Sequence, residues 1–99
     1  MKIVAITACP TGIAHTYMAA EQLEKTGKSL GHSVRVETQG SMGIENELTK
    51  KEIAEADAVI FAVDIDVELK ERFDGKKIIT VPVAEAIKNP KGVFAKAGA

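Results

Sequence analysis

The chain has 99 residues, 45% of them hydrophobic and 27% charged, with a formal net charge of −1. This size and composition fit one globular domain with a modest core, and the low charge offers no basic face for the phosphates of a nucleic acid. The longest apolar run, residues 58–63, is far shorter than the roughly 20 residues of a membrane span, so we expect no span in this chain.

The amino-terminal residues and the cysteine content bear on the cellular compartment. Residues 1–9, MKIVAITAC, are typical of a strand and lack the features of a secretory signal. Cys9 is the only cysteine, which excludes an internal disulfide and fits a reducing environment. We therefore expect a cytoplasmic protein.

The first half of the chain predicts a strand, a helix and a second strand. Residues 3–8 form a nearly continuous apolar run, typical of a central strand covered on both faces. Apolar residues then recur at helical spacing from Ile13 to Leu23, and Gly31 is a helix-ending signal. Residues 33–39 alternate, with Val34 and Val36 inward and Arg35 and Glu37 outward to solvent. That alternation predicts an edge strand, followed by a loop over residues 40–46.

The second half repeats the alternation of strand and helix. Thr49 and Glu52 form a capping-box pattern that predicts a short helix, and the apolar run within 57–64 predicts a second central strand. The remaining predicted elements are a brief helix or turn at 69–73, an edge strand within 76–82, a helix at 83–88, and a linker or tail at 91–99.

Alternating strands and helices predict an α/β fold with a parallel sheet and right-handed crossovers. The first and third strands are the most apolar, so we expect a Rossmann-like, four-stranded parallel sheet of order 2-1-3-4 with helices on both faces, formed by residues 1–90. In such a sheet the ligand crevice lies where the winding reverses, between strands one and three. Cys9 leaves strand one at that point.

The loop after strand one has the features of an anion site. Backbone N–H groups that open into a helix N-terminus, with the positive end of the helix dipole behind them, favour a bound phosphate and the thiolate form of a cysteine. Cys9 is the candidate nucleophile. The candidate phosphate-binding residues follow it, and they are Pro10, Thr11, Gly12, Ile13, Ala14, His15 and Thr16.

A cysteine in an anion-binding loop is compatible with several kinds of chemistry. A cysteine-dependent phosphatase has an arginine six residues after the cysteine, where this chain has His15, so the bidentate phosphate clamp is missing. A redox module would favour a second cysteine, and the loop lacks the Gly-Lys of a nucleotide-binding P-loop. What fits best is a protein that accepts a phosphoryl group on sulfur and holds it. The simpler alternatives are a buried structural cysteine and a helix-surface histidine.

Two further groups of residues follow strands at the same edge of the predicted sheet. Gln39, Gly40 and Ser41 either form a rim, for docking or for orienting the phosphate-binding loop, or serve only as a turn. Asp64 and Asp66 end the third strand, where a phosphatase places its general acid, although a solvated turn explains them equally well. A docking face around the loop would include Ile13, Tyr17 or Met18, together with residues 39–43.

Three stretches carry a family resemblance: ACPTGIAHTYMAAEQLE, GHSVRVETQGSMGIEN and VPVAEAIKNP. They resemble the enzyme IIB component of the fructose-type (fructose and mannose) sugar phosphotransferase system, and the similarity runs from Lys2 to Pro90. The resemblance implies a four-stranded parallel sheet, phosphorylation of Cys9, and a phosphate cradle at residues 10–16. It implies no cofactor or metal.

The resemblance also implies two partners. Phosphorylated enzyme IIA would donate the phosphoryl group from a phosphohistidine, and membrane-embedded enzyme IIC would present fructose or a related hexose as acceptor. A low-molecular-weight phosphatase-like enzyme and a regulatory phospho-binding module stay open as alternatives. The sequence is compatible with a free-standing protein and with one domain of a longer permease.

Overall fold

The computed structural model describes residues 1–10, 13–40 and 43–99, and for Ile13 only the backbone. Within these residues the strands are β1 (Lys2–Ala8), β2 (Ser33–Gly40), β3 (Gly43–Glu45), β4 (Ala58–Val63) and β5 (Ile78–Val81). The helices are α1 (Ile13–Ser29), α2 (Lys50–Glu55), α3 (Val83–Lys88) and α4 (Pro90–Lys96), and Lys70–Phe73 form a 3-10 helix.

The sheet has the order β3-β2-β1-β4-β5. Its parallel strands β2-β1-β4-β5 correspond to the predicted order 2-1-3-4, which is confirmed. The prediction of a purely parallel, four-stranded sheet is wrong, because β3 adds a fifth strand antiparallel to β2. The edge position predicted for β2 is wrong for the same reason. Gly40 pairs with Gly43, and residues 43–45, which the sequence analysis assigned to a loop, form β3.

Helices cover both faces of the sheet, as predicted. One face packs against α1, α3 and α4, and its buried side chains include Ile3, Leu23 and Phe94. The other face packs against α2 and the 3-10 helix, through residues such as Ile53 and Phe73. Parallel strands buried on both faces need apolar side chains at successive positions, which explains the continuous apolar runs of β1 and β4.

The packing of α1 on β2 requires a glycine. A Cβ atom at Gly27 would lie 2.2 Å from Cγ2 of Val34, closer than van der Waals contact permits. The absence of a side chain at Gly27 therefore lets the carboxyl-terminal half of α1 pack closely against β2.

The capping box of α2 is confirmed. The Thr49 hydroxyl accepts from Glu52 N–H, and the Glu52 carboxylate accepts from Thr49 N–H. Arg35 also donates to Glu52 at 2.6 Å. The hydrogen bonds from Arg35 and Thr49 lower the pKa of Glu52 to about 2, so this carboxylate stays charged down to acidic pH.

The prediction of a linker or tail over residues 91–99 is wrong. Pro90 begins α4, and the Asn89 side chain accepts from Gly92 N–H at 3.2 Å as the helix N-cap. Val93, Phe94 and Ala97 of this segment are buried in the core beside α1. Asn-Pro was interpreted as the end of one helix, but proline at the first helical position also begins the next.

Candidate functional site

Cys9 lies at the carboxyl edge of the sheet, where the winding reverses between β1 and β4. It directly follows β1, and Asp64 directly follows β4. Ala8 pairs with Val63, and Asp64 N–H donates to the Ala8 carbonyl at 3.0 Å, so the two strands end at the same level. Cys9 is 7% exposed, which leaves its side chain largely covered by the core. The predicted position of Cys9 is confirmed.

Cys9 opens onto a pocket between α1 and α3. The pocket has a volume of about 410 Å³, and the described residues that line it are Cys9, His15, Met18, Asp64, Val83, Ala84, Ile87 and Lys88. Its walls are mainly apolar, with one acidic and two basic side chains among them. A charged ligand in such a space is less screened than in open water.

The predicted phosphate-binding residues differ in where the structure places them. Thr11 and Gly12 lie outside the described residues, and Ile13 is described only as the first residue of α1. Pro10 and Ala14 are exposed. His15 lies on the wall of the Cys9 pocket. Its contact with a phosphoryl group stays a prediction.

Thr16 is 1% exposed and faces the core from the first turns of α1. Its carbonyl accepts from the Thr7 hydroxyl at 3.0 Å, which ties the start of the helix to β1. Its own hydroxyl has no hydrogen-bond partner among the residues that the structure describes. A buried hydroxyl without a partner costs about 1–3 kcal/mol, so a ligand oxygen that reached it would relieve that cost.

The two candidate aspartates differ in their relation to the Cys9 pocket. Asp64 lines the Cys9 pocket, and its Oδ1 accepts from Val83 N–H at 3.2 Å, which caps the start of α3. Asp66 lines a neighbouring pocket of about 660 Å³, which Asp64 also lines, and it is not among the described residues that line the Cys9 pocket. Only Asp64 is therefore placed to influence chemistry at Cys9.

The sequence analysis missed Lys88. This residue ends α3, and Ala84, Ile87 and Lys88 share one helix face because they are spaced by three and four residues. That face forms the pocket wall opposite His15 and Met18 of α1. The spacing was visible in the sequence, but nothing in it indicated that this face of α3 would meet α1 beside Cys9.

The sequence analysis also missed that Glu37, in the second half of β2, is a buried carboxylate. Glu37 was predicted to face solvent, but its side chain is fully buried. Arg72 donates to both carboxylate oxygens, from Nη1 at 2.8 Å and from Nη2 at 2.9 Å. Leu48 N–H and the Gln39 amide supply further donors. The prediction failed because the outer face of β2 is covered by the segment before α2 and by the 3-10 helix.

Glu37 keeps its charge despite this burial. Burial by itself raises the pKa of the Glu37 carboxyl, but the hydrogen bonds from Arg72, Leu48 and Gln39 outweigh that effect and leave the pKa below its usual value. The same pairing raises the pKa of Arg72. The pair is therefore ionised at neutral pH.

The Glu37 network also holds the loop that follows Asp64. The Gln39 amide donates to the Glu68 carbonyl at 3.1 Å and accepts from Glu68 N–H at 2.8 Å. Arg72 Nε donates to the carbonyl of Leu69. Leu69 has a φ of 58°, a left-handed backbone conformation that is energetically unfavourable for residues other than glycine. Gln39 is therefore a buried residue that holds this loop, so its side chain is not part of an exposed surface. A docking face that includes residues 39–43 stays a prediction.

Comparisons with known proteins identify the family. The family model described as "PTS system, Lactose/Cellobiose specific IIB subunit" matches residues 4–96. The chain is 53% identical to the PTS system fructose-like EIIB component 2 of Escherichia coli K12, over 96% of this chain and 90% of that protein. This chain belongs to the IIB family of the sugar phosphotransferase system, in its fructose-type group.

A longer relative and a solved structure agree with this assignment. The IIB chain is 52% identical to part of the PTS system fructose-specific EIIABC component of Bacillus subtilis, over 97% of this chain and 15% of that protein. A crystal structure of a domain of the fructose-specific IIABC component of Borrelia burgdorferi superposes with a TM-score of 0.91. The two sequences are 50% identical, and the superposition covers 96% of this chain and 90% of the Borrelia domain. Components of this family are phosphotransferase domains that carry phosphoryl groups.

The IIB chain exposes two large side chains of α1 near the predicted docking face. Tyr17 is 41% exposed and Met18 48% exposed. The Tyr17 hydroxyl donates to the Glu45 carboxylate, which links α1 to β3, and this hydrogen bond raises the pKa of Tyr17. Ser41 and Met42 of the predicted rim lie outside the described residues.

The described part of the IIB chain has neither a membrane-spanning helix nor a metal-binding cluster of side chains. No helix in that part is long and apolar enough to cross a membrane. Across residues 1–10, 13–40 and 43–99, no group of three or more His, Cys, Asp or Glu side chains could hold a metal ion.

Proposed function

We propose that Cys9 is the residue of this IIB component that carries the phosphoryl group. The observation that carries the proposal is the position of Cys9 at the end of β1, where it lines a pocket with His15 and Lys88 and precedes the 17-residue helix α1. The sulfur attacks the phosphorus of a phosphohistidine on enzyme IIA; the P–N bond breaks, a P–S bond forms, and the imidazole nitrogen leaves with the electron pair.

The second transfer returns the sulfur to its starting state. A sugar hydroxyl bound to enzyme IIC attacks the phosphorus and gives up its proton to a base or to water at that site; the O–P bond forms, the P–S bond breaks, and Cys9 leaves as the thiolate. The names of the relatives support these partners, because one joins EIIA, EIIB and EIIC in a single component. Since those names also specify fructose, fructose or a related hexose is the proposed acceptor. Transfer to a membrane-embedded partner would place this chain at the cytoplasmic face of the membrane.

Residues 10–16 form the proposed phosphate cradle. The start of α1 at Ile13 supports this assignment, because N–H groups in the first turn of a long helix have no intrahelical acceptors and carry the positive end of the dipole. The hydroxyl of Thr16 adds a buried donor whose hydrogen-bonding capacity is unused among the described residues. Pro10 offers no N–H, so the donors must come from the residues after it.

The direct test is phosphorylation of the purified chain. Incubation with phosphoenolpyruvate, the general phosphotransferase proteins and a fructose-type enzyme IIA should label one peptide, and we expect the phosphoryl group on Cys9. Omission of enzyme IIA is the control and should prevent labelling. A phosphoryl group on any other residue would contradict the proposal.

A phosphatase-like activity is the second candidate, favoured by one observation: the Asp64 carboxylate lines the same pocket as Cys9. The hydrogen bond from Val83 N–H to Asp64 supports a structural role instead. Steady hydrolysis of an aryl phosphate by the chain alone would favour the phosphatase, and phosphoryl transfer that needs enzyme IIA would favour the carrier. A regulatory phospho-binding module would accept the group but fail to pass it to sugar.

We expect His15 to determine how long the phosphoryl group survives. An imidazole donates one hydrogen bond to a phosphoryl oxygen, whereas an arginine in its place would supply a planar fork that stabilises attack by water. His15→Arg should therefore shorten the half-life of the phosphorylated protein by about tenfold, less than the roughly hundred-fold or more contributed by a fully placed donor. His15→Ala should slow acceptance from enzyme IIA with little change in hydrolysis.

The measurement is the half-life of the phosphorylated protein for the parent and both variants, at one pH and without sugar or enzyme IIC. An Arg variant as long-lived as the parent would show that the missing arginine is not what protects the phosphoryl group. His15 would then be a helix-surface residue.

A further inference from the structure

Lys88 supplies a positive charge to the Cys9 pocket from the side opposite α1. It is exposed, and it lines the pocket together with Cys9 and His15. It makes no ion pair within the described part of the chain, whereas Lys2 pairs with Glu55. The three donors of the Lys88 ammonium group are therefore available to a ligand in the pocket.

The charges around the pocket change when Cys9 is phosphorylated. Asp64 already contributes a negative carboxylate at the end of β4. A phosphoryl group, with a second ionisation near pH 6, would add between one and two further negative charges at neutral pH. The apolar walls formed by Met18, Val83 and Ile87 limit screening by water, so an unbalanced dianion would be unfavourable there.

We propose that Lys88 is the cation that pairs with the phosphoryl group on Cys9. This inference rests on the proposed function, since it concerns the phosphorylated state of the same site. Lysine suits the role because its ammonium is a point charge on a flexible stem, which holds a phosphate without the planar fork by which arginine favours hydrolysis. Lys88 thus balances the charge of the carried group while His15 contributes a hydrogen bond from the opposite wall.

The test is a ³¹P NMR titration of the phosphorylated protein. A nearby cation stabilises the dianionic phosphoryl group and lowers its titration midpoint, so Lys88→Gln should raise that midpoint by about half to one pH unit. Lys88→Arg retains the charge and should restore most of the parent value. Lys91→Gln removes the same charge from α4, away from the pocket, and should leave the midpoint unchanged.

The kinetic readout is acceptance from phosphorylated enzyme IIA. Lys88→Gln should slow acceptance about five- to tenfold at low ionic strength, and the difference should shrink as salt screens the charge. Since Lys88 is exposed at the end of α3, urea unfolding should show little change between the parent and this variant.

The outcomes separate the two proposals. If the parent protein gives no phosphorothiolate signal, the proposed function of Cys9 fails and the role of Lys88 falls with it. If that signal forms but the parent, Lys88→Gln and Lys91→Gln titrate with the same midpoint, only the role of Lys88 is overturned. A midpoint raised in Lys88→Gln alone supports both.

Discussion

Cys9→Ser is expected to reduce phosphoryl acceptance from enzyme IIA by about a thousandfold or more, equivalent to about 4 kcal/mol of activation free energy. A serine hydroxyl is far less acidic than a thiol, so the positive field at the start of α1 cannot make it an effective nucleophile. The measurement is the initial rate of labelling by phosphorylated enzyme IIA, followed by peptide mapping.

The control for this experiment is stability. Cys9 is buried at the edge of the core, and serine is slightly smaller and more polar, so we expect the free energy of unfolding to fall by about 1–2 kcal/mol at most. Cys9→Ala removes the nucleophile without adding a hydroxyl and should be equally inactive. Labelling of folded Cys9→Ala at the parent rate would mean that the phosphoryl group is carried elsewhere.

The second large effect is expected at the Glu37–Arg72 pair. Arg72→Met would leave a fully buried carboxylate without its counter-charge, and breaking a buried pair in this way costs about 3–5 kcal/mol. Urea unfolding at pH 7 measures the loss. The double variant Glu37→Leu with Arg72→Met removes both charges, so it should be more stable than Arg72→Met alone.

A matched control comes from the exposed pair Lys2–Glu55, whose side chains are 62% and 45% exposed. Glu55→Gln should change the free energy of unfolding by less than about 1 kcal/mol, because solvent screens exposed pairs. If Arg72→Met costs no more than Glu55→Gln, the Glu37 network does not stabilise the fold.

The stability loss in Arg72→Met should depend on pH with a defined sign. In the parent, the pKa of Glu37 lies below its ordinary value of 4.5. The Glu37 carboxylate therefore adds to the free energy of unfolding above pH 4.5, and this contribution is lost as the pH falls below 4.5. In the variant, burial would instead raise the pKa of Glu37, which makes the variant lose stability as the pH rises above 4.5. The difference in the free energy of unfolding between the parent and Arg72→Met should therefore become smaller from pH 7 to pH 4. A difference that stays constant over this range would contradict this account.

The Glu37 network holds the loop that follows β4. Gln39 and Arg72 hydrogen-bond to the backbone of Glu68 and Leu69, in the loop that begins at Asp64. Asp64 itself is held by hydrogen bonds to Ala8 and Val83, at the edge of the Cys9 pocket.

Local patterns in the sequence determined much of this protein. The apolar runs of β1 and β4 specified two central strands, since a strand covered on both faces needs apolar side chains throughout. The capping box specified the start of α2 because its two hydrogen bonds join residues three apart. Cys9 was placed correctly because parallel winding alone fixes where β1 ends relative to its neighbour.

Tertiary structure decided what depends on partners distant in the chain. Glu37 has the sequence pattern of a solvent-facing strand residue, but it is buried because Arg72, 35 positions later, pairs with its carboxylate. Phe94 belongs to a segment that lacks a long helical pattern, and it is ordered because it fills space beside α1. Lys88 reaches the Cys9 pocket only because α3 packs on α1. Burial and charge pairing between distant residues are set when the sheet and helices assemble, so no local pattern could contain them.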